Sequence, residues 1–275
     1  MPEYPYMSEY RIFDAQAHIA SERLPQYREG SNLRTMSSVT KADELLELLD
    51  ESGIQMALVG APCIVSGGPQ ELLDFNHEFL NGHIAQEVKK APSRLIGVAR
   101  VNPNFGPEAV KALEHAVTNL GLRALKLHPL CEFFYPHHKC LPSLFEVAQK
   151  HNIPILIHSE HHIMAEPTGF LDLAQAFPKV NIIFYHFGGP NAIVVAKRAP
   201  NMYLETSTVF QAYITRAVRV LGPERVIYGS DMPFVSPIPE IVKVTTIPDR
   251  VLPKDVKRLI LGGNLARLLG ITWDS

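Results

Sequence analysis

A chain of 275 residues, 46% hydrophobic and 20% charged, can bury a complete core, and a barrel of about 250 residues is commonly one domain, so residues 1–275 are read as a single domain. The net charge of -2 supplies no basic field that would draw the chain to nucleic acid or to an anionic membrane surface. No apolar run approaches the roughly 20 residues of a membrane span, and Met1 to Tyr6 lacks the basic and apolar regions of a signal peptide, which points to the cytoplasm. Cys63, Cys131 and Cys140 form an odd set without paired zinc-ribbon spacing and read as free thiols of a reducing compartment.

The first strand signal is Arg11 to His18, an apolar run with Asp14, Gln16 and His18 at alternate positions. A period of two sends these three side chains to one face. Ser21 to Val39 is polar and irregular; a segment of that length in a compact domain is typically a functional lid or disordered. Thr40 reads as the N-cap of a helix whose Ala42, Leu45, Leu46 and Leu49 form an apolar stripe, stopped by Gly53. Ile54 to Gly60 is the second strand. Gly67-Gly68-Pro69 then marks a turn, and no Gly-Lys-Ser/Thr follows to make a phosphate cradle.

Strand and helix go on alternating: a helix over Leu72 to Lys89, a strand over Leu95 to Val101 ending near Arg100, and a helix from Pro107 to Gly121. Leu122 to His128, Ile153 to His158 and Val180 to His186 are the next strands, with helices over Leu141 to His151 and Thr168 to Phe177. Met202 to Thr206 and Val226 to Asp231 complete the strand set, with helices over Pro190 to Arg198, Val209 to Leu221 and Lys254 to Leu269. The nearly continuous apolar character of these strands is that of parallel strands covered by helices. Eight such units predict an α/β fold, a (β/α)8 TIM barrel, with a doubly wound sheet as the alternative.

Barrel closure would bring the strand ends around one mouth: Gln16 and His18, Lys126 and His128, His158, His186 and Asp231. A lone strand-end histidine is usually a hydrogen-bonded barrel residue. Four strands ending in histidine, with an aspartate, are a suitable first shell for a hard or borderline divalent ion. Arg100, Lys126 and His128 could hold a substrate carboxylate by charge-assisted hydrogen bonds. The competing reading pairs Arg100 and Lys126 with buried acids such as Asp14 or Glu205. Cys131 to His138 supplies aromatic surface on the same face, either as a pocket wall or as packing against a loop or a subunit, so a homo-oligomer is left open.

Six motifs in this order resemble the amidohydrolase superfamily, specifically its amidohydrolase-2 branch, which includes aminocarboxymuconate-semialdehyde decarboxylase. They are Asp14-Ala-Gln-Ala-His18, Lys126-Leu-His-Pro129, Ile155-Leu-Ile-His158, Tyr185-His-Phe-Gly-Gly189, Tyr228-Gly-Ser-Asp-Met-Pro233 and Gly262-Gly-Asn-Leu-Ala-Arg-Leu-Leu269. The resemblance implies one divalent ion, zinc or alternatively manganese, held by His18, His158 and Asp231. It also implies that His186 is the neighbouring acid/base, with Asp231 sharing proton transfer. In binuclear relatives a lysine from the fourth strand is carboxylated, whereas this branch resembles mononuclear enzymes.

Gln16 departs from the pattern. The usual first strand reads His-x-His, some decarboxylating members have Glu-x-His, and this chain has Gln-x-His. An amide oxygen is a weaker zinc ligand than imidazole or carboxylate. Gln16 is therefore expected as a weak metal ligand, or as a position filled by water, or as the mark of a lost ion. The leading expectation is a metal-dependent hydrolase of a small carboxylate-bearing molecule or a cyclic ester or amide. Non-oxidative decarboxylation of an aromatic or unsaturated acid is the alternative, and a catalytically weakened ligand-binding barrel the third reading.

Overall fold

The computed structural model describes residues 4–21, 39–62, 76–189 and 191–273. Among the described residues nine strands are present: β1 Phe13–His18, β2 Met56–Gly60, β3 Leu95–Gly97, β4 Ala99–Arg100, β5 Leu125–Leu127, β6 Ile155–His158, β7 Ile182–Tyr185, β8 Met202–Glu205 and β9 Val226–Ile227. All neighbouring pairs are parallel. β3 and β4 are two halves of one barrel strand, joined at Val98, whose N–H donates to Val59 at 2.8 Å while that of Ala99 donates to Ala124 at 2.8 Å. The ring closes where Ala15 donates to the Tyr228 carbonyl at 3.1 Å and His18 to that of Met232 at 2.9 Å. The (β/α)8 barrel is thus formed as the strand pattern requires.

Alternation places the layers. Ile155 and Ile157, Ile182 and Phe184, and Met202 and Leu204 face the helices, whereas Leu156, Ile183, Tyr185 and Tyr203 face the barrel interior. By the same period His158 and Glu205 turn inward at the strand ends. β1 is the exception. Its register against β2 shifts between Asp14 and Ala17, so one extra residue is accommodated there. Phe13 and Ala15 belong to the inner layer but Ala17 to the outer, which leaves Gln16 and His18 inward and Asp14 off their face. Asp14 instead braces the closure: its carboxylate accepts from the N–H groups of Gln16 and Ser230, both at 2.9 Å, and from the Ser230 hydroxyl.

The helices relevant to the site follow the expected positions. α1 Ala42–Ser52 ends on Gly53 at φ 69°, although its N-cap position is Lys41 and not Thr40. Glu44 reaches back to accept from the N–H groups of Thr40 and Lys41 at 2.7 and 3.1 Å. α2 His77–Val88, α3 Pro107–Thr118 and α4 Leu141–His151 cover the next strands. The final helix is interrupted: Lys254–Arg258 and Asn264–Leu268 flank a π-helical turn at Leu259–Gly263. A helix at Pro237–Thr245 lies where no periodic signal was read. Most of the Ser21 to Val39 segment, all of the Gly67-Gly68-Pro69 turn, and Cys63 lie outside the described residues. Cys140 is a buried free thiol, whereas Cys131 is disulfide-bonded, which corrects its reading as a free thiol. Among the described residues no helix is long and apolar enough to cross a membrane.

Candidate active site at the barrel mouth

The loops that follow the strands bend sharply. His186, Phe187 and Thr208 have φ of 61° and Asp231 62°, four of the six non-glycine left-handed residues among those described. Such backbone costs free energy and collects where surrounding contacts impose it, commonly at functional sites. Two of these residues, His186 and Asp231, were singled out by the sequence. Gly188, by contrast, makes no room for a substrate: a Cβ there would meet Pro167 and Ser159 within 2.7 Å, so its missing side chain serves loop packing.

His18 and Asp231 meet as expected, with His18 Nε2 3.1 Å from Asp231 Oδ1. The amide nitrogen of Gln16 donates to the same carboxylate oxygen. Burial alone would raise the Asp231 pKa, but the hydrogen bond and charge of His18, reinforced by His186 and Lys126, hold it below the ordinary value. Among the described residues His18 Nδ1, which is buried, has no hydrogen-bond partner. His158 stands apart from this pair, stacked flat on His128 at 3.8 Å between centroids and edge-on to His186 at 4.8 Å. Burial, then the charges of Lys126, His186 and His18, pushes His158 down to about 2. His186 falls to about 4, again chiefly through burial. His128 lies well below its usual value for the same reason. All three imidazoles are therefore neutral at neutral pH.

Lys126 and Arg100 have different fates. Arg100 is paired, its Nε donating to Glu132 at 2.8 Å and its Nη1 to the Pro62 carbonyl at 2.8 Å. Glu132 also accepts from the His128 N–H at 3.0 Å, so the pair clamps the loop after β5. The partner acid is Glu132, where Asp14 or Glu205 had been considered. Lys126 is 5% exposed, and its Nζ has no hydrogen-bond partner among the described residues; it lies 3.6 Å from the centroid of the Tyr185 ring. Burial lowers it to about 7, against the opposing pull of Asp231 and Glu205.

Beside His186 the structure assembles residues that the sequence reading did not assign to the site. Ser207 Oγ is 2.8 Å from His186 Nδ1, 2.8 Å from Glu205 Oε2 and 3.2 Å from Gln16 Oε1. Glu205 is fully buried and accepts from the N–H groups of Ser207 and His186 at 2.5 and 3.1 Å; burial, outweighing these bonds, raises it to about 8. A Cβ on Gly229 would overlap this carboxyl at 2.3 Å, so glycine is required there. The signal was available: Glu205 and Ser207 are two apart at the end of a strand, as Gln16 and His18 are.

A cavity of about 190 Å³ opens next to this group, lined by His186, Phe187, Thr208, Val209, Phe210 and Tyr213. Its aromatic wall comes from Phe187 and Phe210 on the loops after β7 and β8 and from Tyr213 on the helix Gln211–Leu221. The Cys131 to His138 segment is not part of that lining; there Tyr135 stacks on His137 at 5.5 Å.

The donor types of His18, His158 and Asp231 suit a divalent ion, and a fit can be tested on spacing. Two donors each about 2.1 Å from one ion stand roughly 3 Å apart, as His18 and Asp231 do. The third does not join them: among the described residues no three His, Cys, Asp or Glu side chains are grouped to hold an ion. The residues thus fit in kind and in one pair, with His158 packed on His128 instead of turned to the pair.

The sequence is 21% identical over 248 residues to a 2-amino-3-carboxymuconate-6-semialdehyde decarboxylase of Dictyostelium discoideum, covering 74% of this chain and 68% of that protein. The fold is similar to that of a 5-carboxyvanillate decarboxylase from Sphingomonas paucimobilis, with TM-score 0.76 and 19% identity over 95% of this chain and 99% of the other. It is also similar to a dihydroxybenzoic acid decarboxylase from Polaromonas sp. JS666, solved with bound manganese and the inhibitor 2-nitroresorcinol. That match has TM-score 0.73 and 16% identity, covering 95% of this chain and 97% of that one. The Amidohydrolase family profile, Amidohydro_2, matches residues 13–271, and the chain belongs to that family.

Proposed function

We propose that this barrel is a carboxy-lyase, releasing carbon dioxide without oxidation from a small aromatic or unsaturated carboxylic acid. The observation that carries the proposal is Lys126, a buried amine lowered to about 7 that has no hydrogen-bond partner among the described residues, at a mouth lined by neutral imidazoles. A buried ammonium without a partner is costly, and a bound carboxylate would relieve that cost. Arg100 is already paired with Glu132 and is left out of the substrate contacts. The aromatic walls of the cavity at Phe187, Phe210 and Tyr213 suit a flat ring, and the names of the relatives point to the same chemistry.

His186 then carries the proton. It is neutral at rest, and an anionic substrate beside it raises its affinity for a proton. With the proton taken up on Nε2, cleavage of the bond to the carboxylate leaves an electron pair on the ring or alkene carbon. That carbon takes the proton from Nε2, carbon dioxide departs, and His186 returns to its neutral form. A divalent ion bound by His18, His158 and Asp231 would supply positive charge to substrate oxygens. Gln16 orients Asp231 through its amide nitrogen. A second reading, hydrolysis of a cyclic ester or amide, is favoured by one observation: the neutral imidazole of His186 also suits removal of a proton from water.

Lys126→Met is expected to raise KM for the carboxylate substrate by about 10- to 100-fold, the range of one lost charge-assisted hydrogen bond. The fold should persist, because the substitution removes a buried group that makes no hydrogen bond. Steady-state kinetics with circular dichroism checks both; an unchanged KM would remove Lys126 from the substrate site.

A further inference from the structure

We propose that Tyr185 is a positioning residue for substrate: its ring, tied across the barrel interior to β1, is the platform that aims the Lys126 amine at the mouth. The inference rests on Lys126 meeting the substrate carboxylate, and its geometry begins in β1.

In a parallel ladder, a residue that donates its N–H to a neighbouring strand receives at its own carbonyl the N–H two positions further along that neighbour. Ala15 donates to the Tyr228 carbonyl at 3.1 Å, so the regular partner of its own carbonyl is the N–H of Ser230. That N–H goes elsewhere, to Asp14 Oδ1 at 2.9 Å. Ala15 is fully buried, and a buried carbonyl needs a donor. The Tyr185 hydroxyl supplies it at 2.6 Å, from a residue 170 positions away. A carbonyl only accepts, so the phenol is the donor and the bond has a single polarity.

β8 and β9 separate β7 from β1 around the ring, so the side chain crosses the interior to make this bond. Tyr185 belongs to the inner layer with Phe13, Leu156 and Ile183. Held at one end by its strand and at the other by Ala15, the ring keeps one tilt. Over its face stands Lys126 Nζ, 3.6 Å from the centroid. The lysine reaches it from β5, where Leu125 and Leu127 turn outward to the helices and the residue between them turns inward.

A lysine carries its charge on a flexible four-carbon stem, and among the described residues this Nζ makes no hydrogen bond. The ring face is then what limits where Nζ can stand. The attraction holds in both charge states, because the N–H bonds of an amine and of an ammonium are both drawn to the negative face of the ring, those of the ammonium more strongly. One side of Nζ is closed by the ring, and the hydrogens on the other side are left for an incoming carboxylate. An aliphatic side chain would fill the same layer but would offer neither the face nor the hydroxyl.

The test is NMR of the full chain, saturated with zinc and labelled with 13C at the ε-carbon of its lysines, with Lys126 assigned by its loss in Lys126→Met. The ε-methylene is one bond from Nζ and shares its place over the ring, so its proton signals are expected upfield of those of the other lysines. Tyr185→Leu should return them to the ordinary lysine position, whereas Tyr185→Phe, which keeps the face, should retain the shift. Both variants lose the bond to Ala15, so a fall in melting temperature is common to them and a difference between them belongs to the face. On the same proteins, calorimetry with benzoate as the probe anion should give a dissociation constant raised about 3- to 30-fold in Tyr185→Leu, the range of a cation–π contact, and by less than about 3-fold in Tyr185→Phe. Added to Lys126→Met, Tyr185→Leu should weaken benzoate no further, because the ring acts through the lysine. An ordinary ε-methylene signal in wild type would overturn the inference, as would equal weakening in the Phe and Leu variants or a fully additive loss in the double variant. The NMR signal is read without substrate, so an upfield Lys126 in a protein that does not bind benzoate would count against the carboxylate reading alone.

Discussion

His186→Ala is expected to lower turnover by about 100- to 10,000-fold, the contribution of one positioned acid or base, while ion content and fold are retained. The size of the effect follows from how tightly the ring is held. Its Nδ1 is fixed by Ser207, its edge packs on His158, and its backbone N–H is held by Glu205 in a left-handed turn. The backbone contact does not depend on the side chain and survives the substitution. The loss should therefore fall on kcat, with little change in stability. If the variant loses its ion, His186 is a ligand; if it keeps both ion and activity, proton transfer belongs to another group.

Saturation with zinc or manganese should give close to one ion per chain, and Asp231→Asn should weaken binding by more than about 100-fold. Changes to residues behind the ligands already cost 10- to 100-fold, and loss of the one carboxylate in the set exceeds that. Asp231 also receives hydrogen bonds from His18 and Gln16, so its charge organises two side chains of the first strand. The asparagine keeps the shape and removes the charge, which separates ligation from packing. Elemental analysis after dialysis reads the result. Absence of any bound ion in wild type would leave the reading of a weakened barrel that binds a ligand.

Much of this was legible in the chain. The apolar runs at Ile155 to Ile157 and Ile182 to Phe184 repeat every residue because parallel strands are buried on both faces, and their histidine ends mark the mouth. The convergence of His18 and Asp231 follows from closure alone. Asp14 was misplaced because the extra residue in β1 inverts the alternation, and a bulge leaves no trace in a pattern of types. Arg100 found Glu132, a partner in the loop after β5, which strand parity does not predict. His158 lies on His128 for want of any signal about side-chain rotation. The role of Ser207 was hidden by ordinary appearance: a serine after a strand is common, and its importance lies in three neighbours drawn from β1, the loop after β7, and β8.

The decisive measurement is product analysis on a panel of aromatic and unsaturated carboxylic acids and cyclic esters, run in deuterated water with the ion-loaded protein. The account predicts carbon dioxide in equal amount to the decarboxylated product, with one deuterium on the carbon that lost the carboxylate, because the proton delivered by His186 comes from solvent. Ring opening or amide cleavage without carbon dioxide would contradict it and establish hydrolysis as the activity.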